Sequence, residues 1–322
     1  MNSEILTGAI LDMRSFDRGD IDLGALSQLP VNWSKYPSTS IKDVVKRIQK
    51  AHIVITNKVV LNRTAIDNSN NLRLVLIAAT GTDNVDLDAC KERNITVCNV
   101  RGYSAPSVVQ HTIGLMLNLL TQQYRYIEEV RIGSWSKTDV FCLLDYPIVE
   151  SKGKVFGVIG YGTLGKQVAS VARALGMRVI VAGRKGVVPA PERVDFEEFL
   201  KQSDVVSIHC PLMPDTHHLI GVKELMLMQP EAVLINTARG AIIDSYALAS
   251  ALKSGEIAGA GIDVLESEPP DNSHPLLQKD IPNLIVTPHN AWGSRETRQR
   301  LVKLMSEIIV AWQLNSPINV VV

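Results

Sequence analysis

The sequence predicts an α/β chain built as two doubly wound parallel-sheet domains. Three observations predict it. A length of 322 residues exceeds the usual size of one domain, so two units of roughly 100–200 residues are expected. From Val155 onward, short apolar runs closed by Gly, Pro, Thr or Asn alternate with stretches of helical periodicity. The first hundred residues repeat this alternation more weakly.

Taken in order, the second half offers six strands, at residues 155–159, 179–182, 205–208, 233–235, 258–262 and 284–286. Six strands suffice for a dinucleotide-binding domain. The intervening segments fit crossover helices; in 164–175, Val168, Val171 and Leu175 recur at helical spacing and Gly176 stops the run. In the first half, 53–55, 74–78 and 95–98 are the strand candidates of a smaller α/β unit. Residues 106–130 read as one apolar helical bridge, and the amphipathic run 294–314 as a helix returning to the first unit. That return makes the first unit discontinuous, 1–101 with 290–322, around a dinucleotide-binding unit at 102–289.

Composition narrows the function class. Apolar residues make up 46% of the chain and 33 basic residues balance 33 acidic ones, so nucleic acid and anionic membranes are not expected partners. No apolar run approaches bilayer length, the first ten residues lack the pattern of a signal peptide, and a cytoplasmic location is expected. Cys90, Cys98, Cys142 and Cys210 are scattered without metal-ligand spacing. His217-His218 has no third ligand at helical or hairpin spacing, so no metal is expected.

Gly160-Tyr-Gly-Thr-Leu-Gly165 follows a strand and opens a helix. Such a loop needs Gly160 for a tight turn, Gly162 for close approach of backbone to pyrophosphate, and Gly165 for packing of helix on strand. Amides at the helix start, Thr163 and Leu164 among them, would hold the phosphates. Folds that prefer NAD place a carboxylate at the end of the next strand, on the ribose hydroxyls. Here Gly183-Arg184-Lys185 stands there instead, two cations suited to a 2′-phosphate, so NADP(H) is the favoured cofactor and NAD(H) remains open.

Reduction of a 2-keto acid needs a cation for the carboxylate, a proton donor for the developing alkoxide, and a carboxylate to hold that donor. Arg239, His289 and Glu268 supply these types, each just beyond a strand end, where ligands of open α/β sheets collect.

These residues lie in GYGTLG, HCPL (209–212), NTARG (236–240), GIDVLESEP (261–269) and TPH (287–289), through which the chain resembles the D-isomer-specific 2-hydroxyacid dehydrogenases. The resemblance implies two Rossmann-like domains, the substrate domain flavodoxin-like. It implies His289 as acid/base, Glu268 as its partner and Arg239 as substrate binder. It also implies that the Thr80 and Gly81 amides hold the substrate carboxylate, that Asp263 orients the nicotinamide, and that Cys210, Pro211, Thr216, Thr237 and Ala238 line the cofactor. Glu268 beside His289 would favour the imidazolium and keep a proton available near neutral pH.

Within the family, ITNKVV (55–60), ATGTDNVDLDAC (79–90), NVRGYS (99–104) and FCLLDYPI (141–148) resemble the glycerate dehydrogenases, also called hydroxypyruvate reductases. The expected substrates are hydroxypyruvate and glyoxylate, with a D-lactate or broad 2-keto acid reductase as the alternative. Lys58 and Asn57 are expected either to face the substrate's hydroxymethyl group or to serve the fold. The resemblance further implies a homodimer, with Trp135 and Phe141 either at the partner's active site or in the interface.

Overall fold

The computed structural model describes residues 5–322. The chain divides into two compact units, Met1–Ser104 with Gly293–Val322, and Ala105–Trp292. The divisions fall three residues beyond the 101 and 289 read from the sequence, because the second unit begins with the helix Ala105–Thr121.

The first unit holds a fully parallel sheet of β1 (Leu6–Ile10), β2 (Val31–Lys35), β3 (Ile53–Thr56), β4 (Leu74–Ile77) and β5 (Thr96–Asn99), in the order β2-β1-β3-β4-β5. This is the flavodoxin-like winding. β3 and β4 are buried at every position, as central parallel strands with helices on both faces must be. β1 and β2 were not among the sequence candidates. β2 is a mostly exposed edge strand, Val-Asn-Trp-Ser-Lys, without an apolar run to betray it. The helix Arg295–Gln313 belongs to this unit; Ser294 caps it through the Thr297 amide, and it buries Leu301, Met305, Ile308 and Ile309. Its Arg298 forks onto both carboxylate oxygens of Asp20, at 2.6 and 2.7 Å.

The second unit holds β6 (Val155–Ile159), β7 (Arg178–Val181), β8 (Val205–Ile208), β9 (Val233–Asn236), β10 (Gly259–Ile262) and β11 (Leu284–Val286). Its order is β11-β10-β9-β8-β6-β7, all parallel, with a further parallel bridge from Ala182 to Val194 outside β7. The winding reverses between β6 and β8, and that reversal creates the crevice in which such sheets bind dinucleotides. The bridge read as one helix from 106 to 130 is two, Ala105–Thr121 and Gln123–Arg131. Gln122 breaks it in the left-handed region at φ 51°, its side-chain amide turned back onto the Leu119 carbonyl. Among the described residues no helix is long and apolar enough to cross a membrane.

Candidate active site

The glycine loop sits at the winding reversal. Gly160 has φ +90°, and a Cβ there would lie 2.5 Å from the Cys210 amide nitrogen, so the β6 turn and the turn after β8 meet backbone to backbone. A Cβ on Gly165 would collide with the Gly160 carbonyl, which is why the helix Thr163–Ala174 can sit so close to β6. Gly162 is different: a Cβ there meets no atom within 4 Å. The helix also begins without a side-chain cap, so no capping side chain competes for its first amides, Thr163 and Leu164 among them. Space at Gly162 together with uncapped amides fits a pyrophosphate.

Around that loop, Cys210 is a half-buried thiol whose pKa burial pushes up to about 11. Thr216 turns its hydroxyl into its own turn, donating to the Pro211 carbonyl at 2.8 Å and accepting the Met213 amide at 2.7 Å. Thr237 is buried and shares a hydroxyl hydrogen bond with Thr112. At the end of β7, Gly183 is buried while Arg184 and Lys185 are exposed. Of the two cations expected at a 2′-phosphate, Lys185 is paired: its ammonium lies 2.8 Å from the Glu224 carboxylate.

Each chemical side chain is positioned by the strand before it. After β9, Asn236 clamps the turn: its carbonyl oxygen accepts the Ala238 amide and its NH2 donates to the Arg239 carbonyl, both at 2.9 Å. Half-buried Arg239 is thereby presented from a fixed backbone, one guanidinium nitrogen donating to the Ala238 carbonyl at 2.8 Å. Gly240 leaves no room for a side chain, since a Cβ would fall on the Leu265 and Glu266 backbone. That close approach docks the loop after β10 on the Arg239 turn.

The docked loop carries Glu268, which bridges two partners. One oxygen accepts the Leu265 amide at 2.9 Å, and the other meets His289 Nδ1 at 2.5 Å. A carboxylate there fixes the proton on Nδ1 and leaves Nε2 as the ring's working nitrogen. His289 itself occupies the left-handed region at φ 50°, unusual for a residue with a Cβ. Asp263, 1% exposed, holds it there. Its carbonyl accepts the His289 amide, one carboxylate oxygen takes the Thr287 hydroxyl and Asn290 amide, and the other takes the Ala291 amide. His111 Nε2 lies 2.9 Å from the Thr287 hydroxyl and 3.5 Å from Asp263. In the structure Asp263 anchors the His289 loop.

In the first unit, Thr80 is exposed and Gly81 partly so. The Thr80 hydroxyl donates to the Val100 carbonyl at 2.9 Å and the Asn99 side chain donates to the Thr80 carbonyl at 2.7 Å, which fixes the peptide. Lys58 is exposed, whereas Asn57 is 4% exposed and bonds Ser15, so Asn57 serves the fold. Sequence reasoning missed Asp12. This buried carboxylate accepts the amides of Asn57, Lys58 and Val59 and sets the loop that bears Lys58. Burial raises its pKa, opposed by those three amides and the Lys58 charge. An acid at the end of the first apolar run was its only sequence signal.

The expectation that His217-His218 lacks a third ligand holds for local spacing only. Glu266, from the loop after β10, brings a carboxylate oxygen within 4.8 Å of both imidazoles' ligand nitrogens.

Comparison with known proteins agrees with this geometry. Residues 113–291 match the family described as D-isomer specific 2-hydroxyacid dehydrogenase, NAD binding domain. The chain is 44% identical over 293 residues to glycerate dehydrogenase of Methylorubrum extorquens, covering 91% of this chain and 92% of that protein. It is 35% identical to hydroxypyruvate reductase of Blautia hydrogenotrophica, over 97% and 98% of the two chains. Among solved structures, a glyoxylate reductase from Paecilomyes thermophila superposes with a TM-score of 0.81 at 28% identity, over 100% of this chain and 99% of that one. With a glycine turn shaped for a dinucleotide and a carboxylate-held imidazole beyond the last strand, the chain belongs to the D-isomer-specific 2-hydroxyacid dehydrogenase family.

Proposed function

We propose that the protein reduces hydroxypyruvate to D-glycerate, and glyoxylate to glycolate, with NADPH as the favoured cofactor. The observation that carries this reading is His289 Nδ1 held on Glu268 beside the docked Arg239 turn. The nicotinamide supplies the hydride. His289 gives the proton from Nε2 to the keto oxygen, Glu268 holds the ring and stabilises its charge, and Arg239 pairs with the substrate's carboxylate and polarises the carbonyl. Asp263 orients the nicotinamide and also positions the His289 loop. Gly160, Gly162 and Gly165 shape the pyrophosphate turn, and Thr163 and Leu164 offer it amides. Cys210, Pro211, Thr216, Thr237 and Ala238 line the cofactor, Thr80 and Gly81 bind the substrate carboxylate, and Lys58 faces the hydroxymethyl group.

The cofactor preference rests on exposed Arg184 and the missing acid at Gly183, with Lys185 engaged by Glu224. A steady-state panel of hydroxypyruvate, glyoxylate and pyruvate against NADPH and NADH tests the proposal. kcat/KM should be highest for hydroxypyruvate, at least about tenfold above pyruvate, whose missing hydroxyl leaves a polar group of the pocket unpaired. NADPH should surpass NADH in the parent and lose that advantage in Arg184→Ala. A pyruvate preference would make the enzyme a D-lactate-type reductase instead.

A cytoplasmic homodimer completes the proposal. Ile127, Val130, Ile132, Trp135 and Phe141 expose between half and nine-tenths of their surface, apolar side chains that a partner would cover. The Trp135 indole donates to the Phe141 carbonyl at 3.0 Å, which holds the two ends of this loop together. Sedimentation equilibrium at micromolar concentration should give twice the 35.3 kDa chain mass.

A further inference from the structure

We propose that His217, His218 and Glu266 form a binding site for one divalent transition ion of the zinc class, separate from the chemistry assigned above. The three residues offer two imidazole nitrogens and one carboxylate oxygen, all within 4.8 Å of one another. Two nitrogens and a hard oxygen are the donor set of zinc, nickel or copper, and a poor one for magnesium or calcium. In a tetrahedral site with bonds of about 2.1 Å the ligand atoms stand about 3.4 Å apart. All three side chains are exposed, so side-chain rotation that turns the two imidazoles out of their face-to-face packing can bring the donor atoms to that spacing, and water completes the shell.

What distinguishes this trio from a chance surface cluster is its scaffold. Neighbouring residues normally point their side chains apart, yet the two imidazoles stack with centroids 4.1 Å apart and planes 27° from parallel. His218 achieves this in the left-handed region, at φ 47°. Its turn is fixed on one side by the His217 amide on the Met213 carbonyl, and on the other by the His218 amide on the Ala241 carbonyl at 2.8 Å. Glu266 is set against the same segment, because Gly240, next to Ala241, admits the Leu265–Glu266 backbone into direct contact. One rigid turn, 240–242, therefore fixes both halves of the ligand set, although 49 residues separate Glu266 from His217 in the chain.

A bound ion ties the turn that carries Thr216 to the loop that carries Glu268. On the reading under Proposed function, zinc therefore lowers turnover. Calorimetric titration of untagged protein with ZnCl2, with MgCl2 as the control, reads binding independently of that reading. Expected are one zinc per chain in the micromolar range, no magnesium uptake, and at least a tenfold weaker affinity in His217→Ala and in Glu266→Gln, with unchanged circular dichroism. Zinc should inhibit the parent chain and not Glu266→Gln. Glu266→Gln binding zinc as tightly as the parent would reduce the feature to a bare histidine pair and overturn the site. Binding that depends on Glu266 without inhibition would leave the site standing and overturn the inference that the ion restrains the Glu268 loop.

Discussion

Replacing His289 by Asn should lower kcat by about 10³-fold, the middle of the range for loss of a positioned acid/base, while NADPH binding changes less than threefold. Asn is the informative substitution because position 289 sits at φ 50°, and Asn tolerates the left-handed region better than other side chains with a Cβ. The Asp263 carbonyl can then still receive the residue's amide and the loop keeps its course. An alanine would add backbone strain to the chemical loss and blur the result. Asn has neither a titratable ring nor the reach to deliver a proton, and Glu268 would lose the imidazole that engages one of its oxygens. Single-turnover reduction of hydroxypyruvate, followed at the nicotinamide absorbance, measures the chemical step directly. Turnover within tenfold of the parent would remove His289 from the proton-donor role.

The sequence revealed those parts of the molecule that follow from local chemistry. β6, β8 and β11 lie where β-branched runs end in Gly, His or Thr, and Gly160 announces its positive φ through a spacing few other turns need. Arg239, Glu268 and His289 were legible because each stands just past a strand end. Edge strands carry less information. β2 is an exposed run with one buried valine, and β1 accepts Gly8 because the Trp33 ring lies where its side chain would be. The break at Gln122 carries no Gly or Pro to announce it; there a buried side-chain amide donates to the Leu119 carbonyl three residues back. Long-range pairings were illegible because no local pattern encodes them. Asp12 gains its meaning from amides 45 residues away, and Lys185 pairs with Glu224, which no local pattern connects to it.

The second large effect concerns Gly240. Its φ is not positive, so alanine suits the backbone there and any damage must come from contact. The contact is severe: the new methyl would fall on the Leu265 carbonyl carbon and oxygen and the Glu266 amide nitrogen, main-chain atoms with no rotamer to yield. Either the Arg239 turn or the 265–266 loop must move by about 1 Å, and overpacking of this kind costs about 1–3 kcal/mol. For a chain of this size the melting temperature should fall by roughly 1.5–5 °C. Activity should suffer more than stability. Glu268 takes its orientation from the Leu265 amide and gives it to His289, so a displacement at 265 misplaces the imidazole. A misplacement of about 1 Å can cost about 10²-fold in rate. Gly240→Ala should therefore lose about two orders of magnitude in kcat/KM while NADPH still quenches tryptophan fluorescence, because the Gly160 turn lies on a different strand end. An enzyme with parental kcat/KM and an unshifted melting curve would show that the two loops do not need this close approach, and that Arg239 and Glu268 are positioned independently of each other.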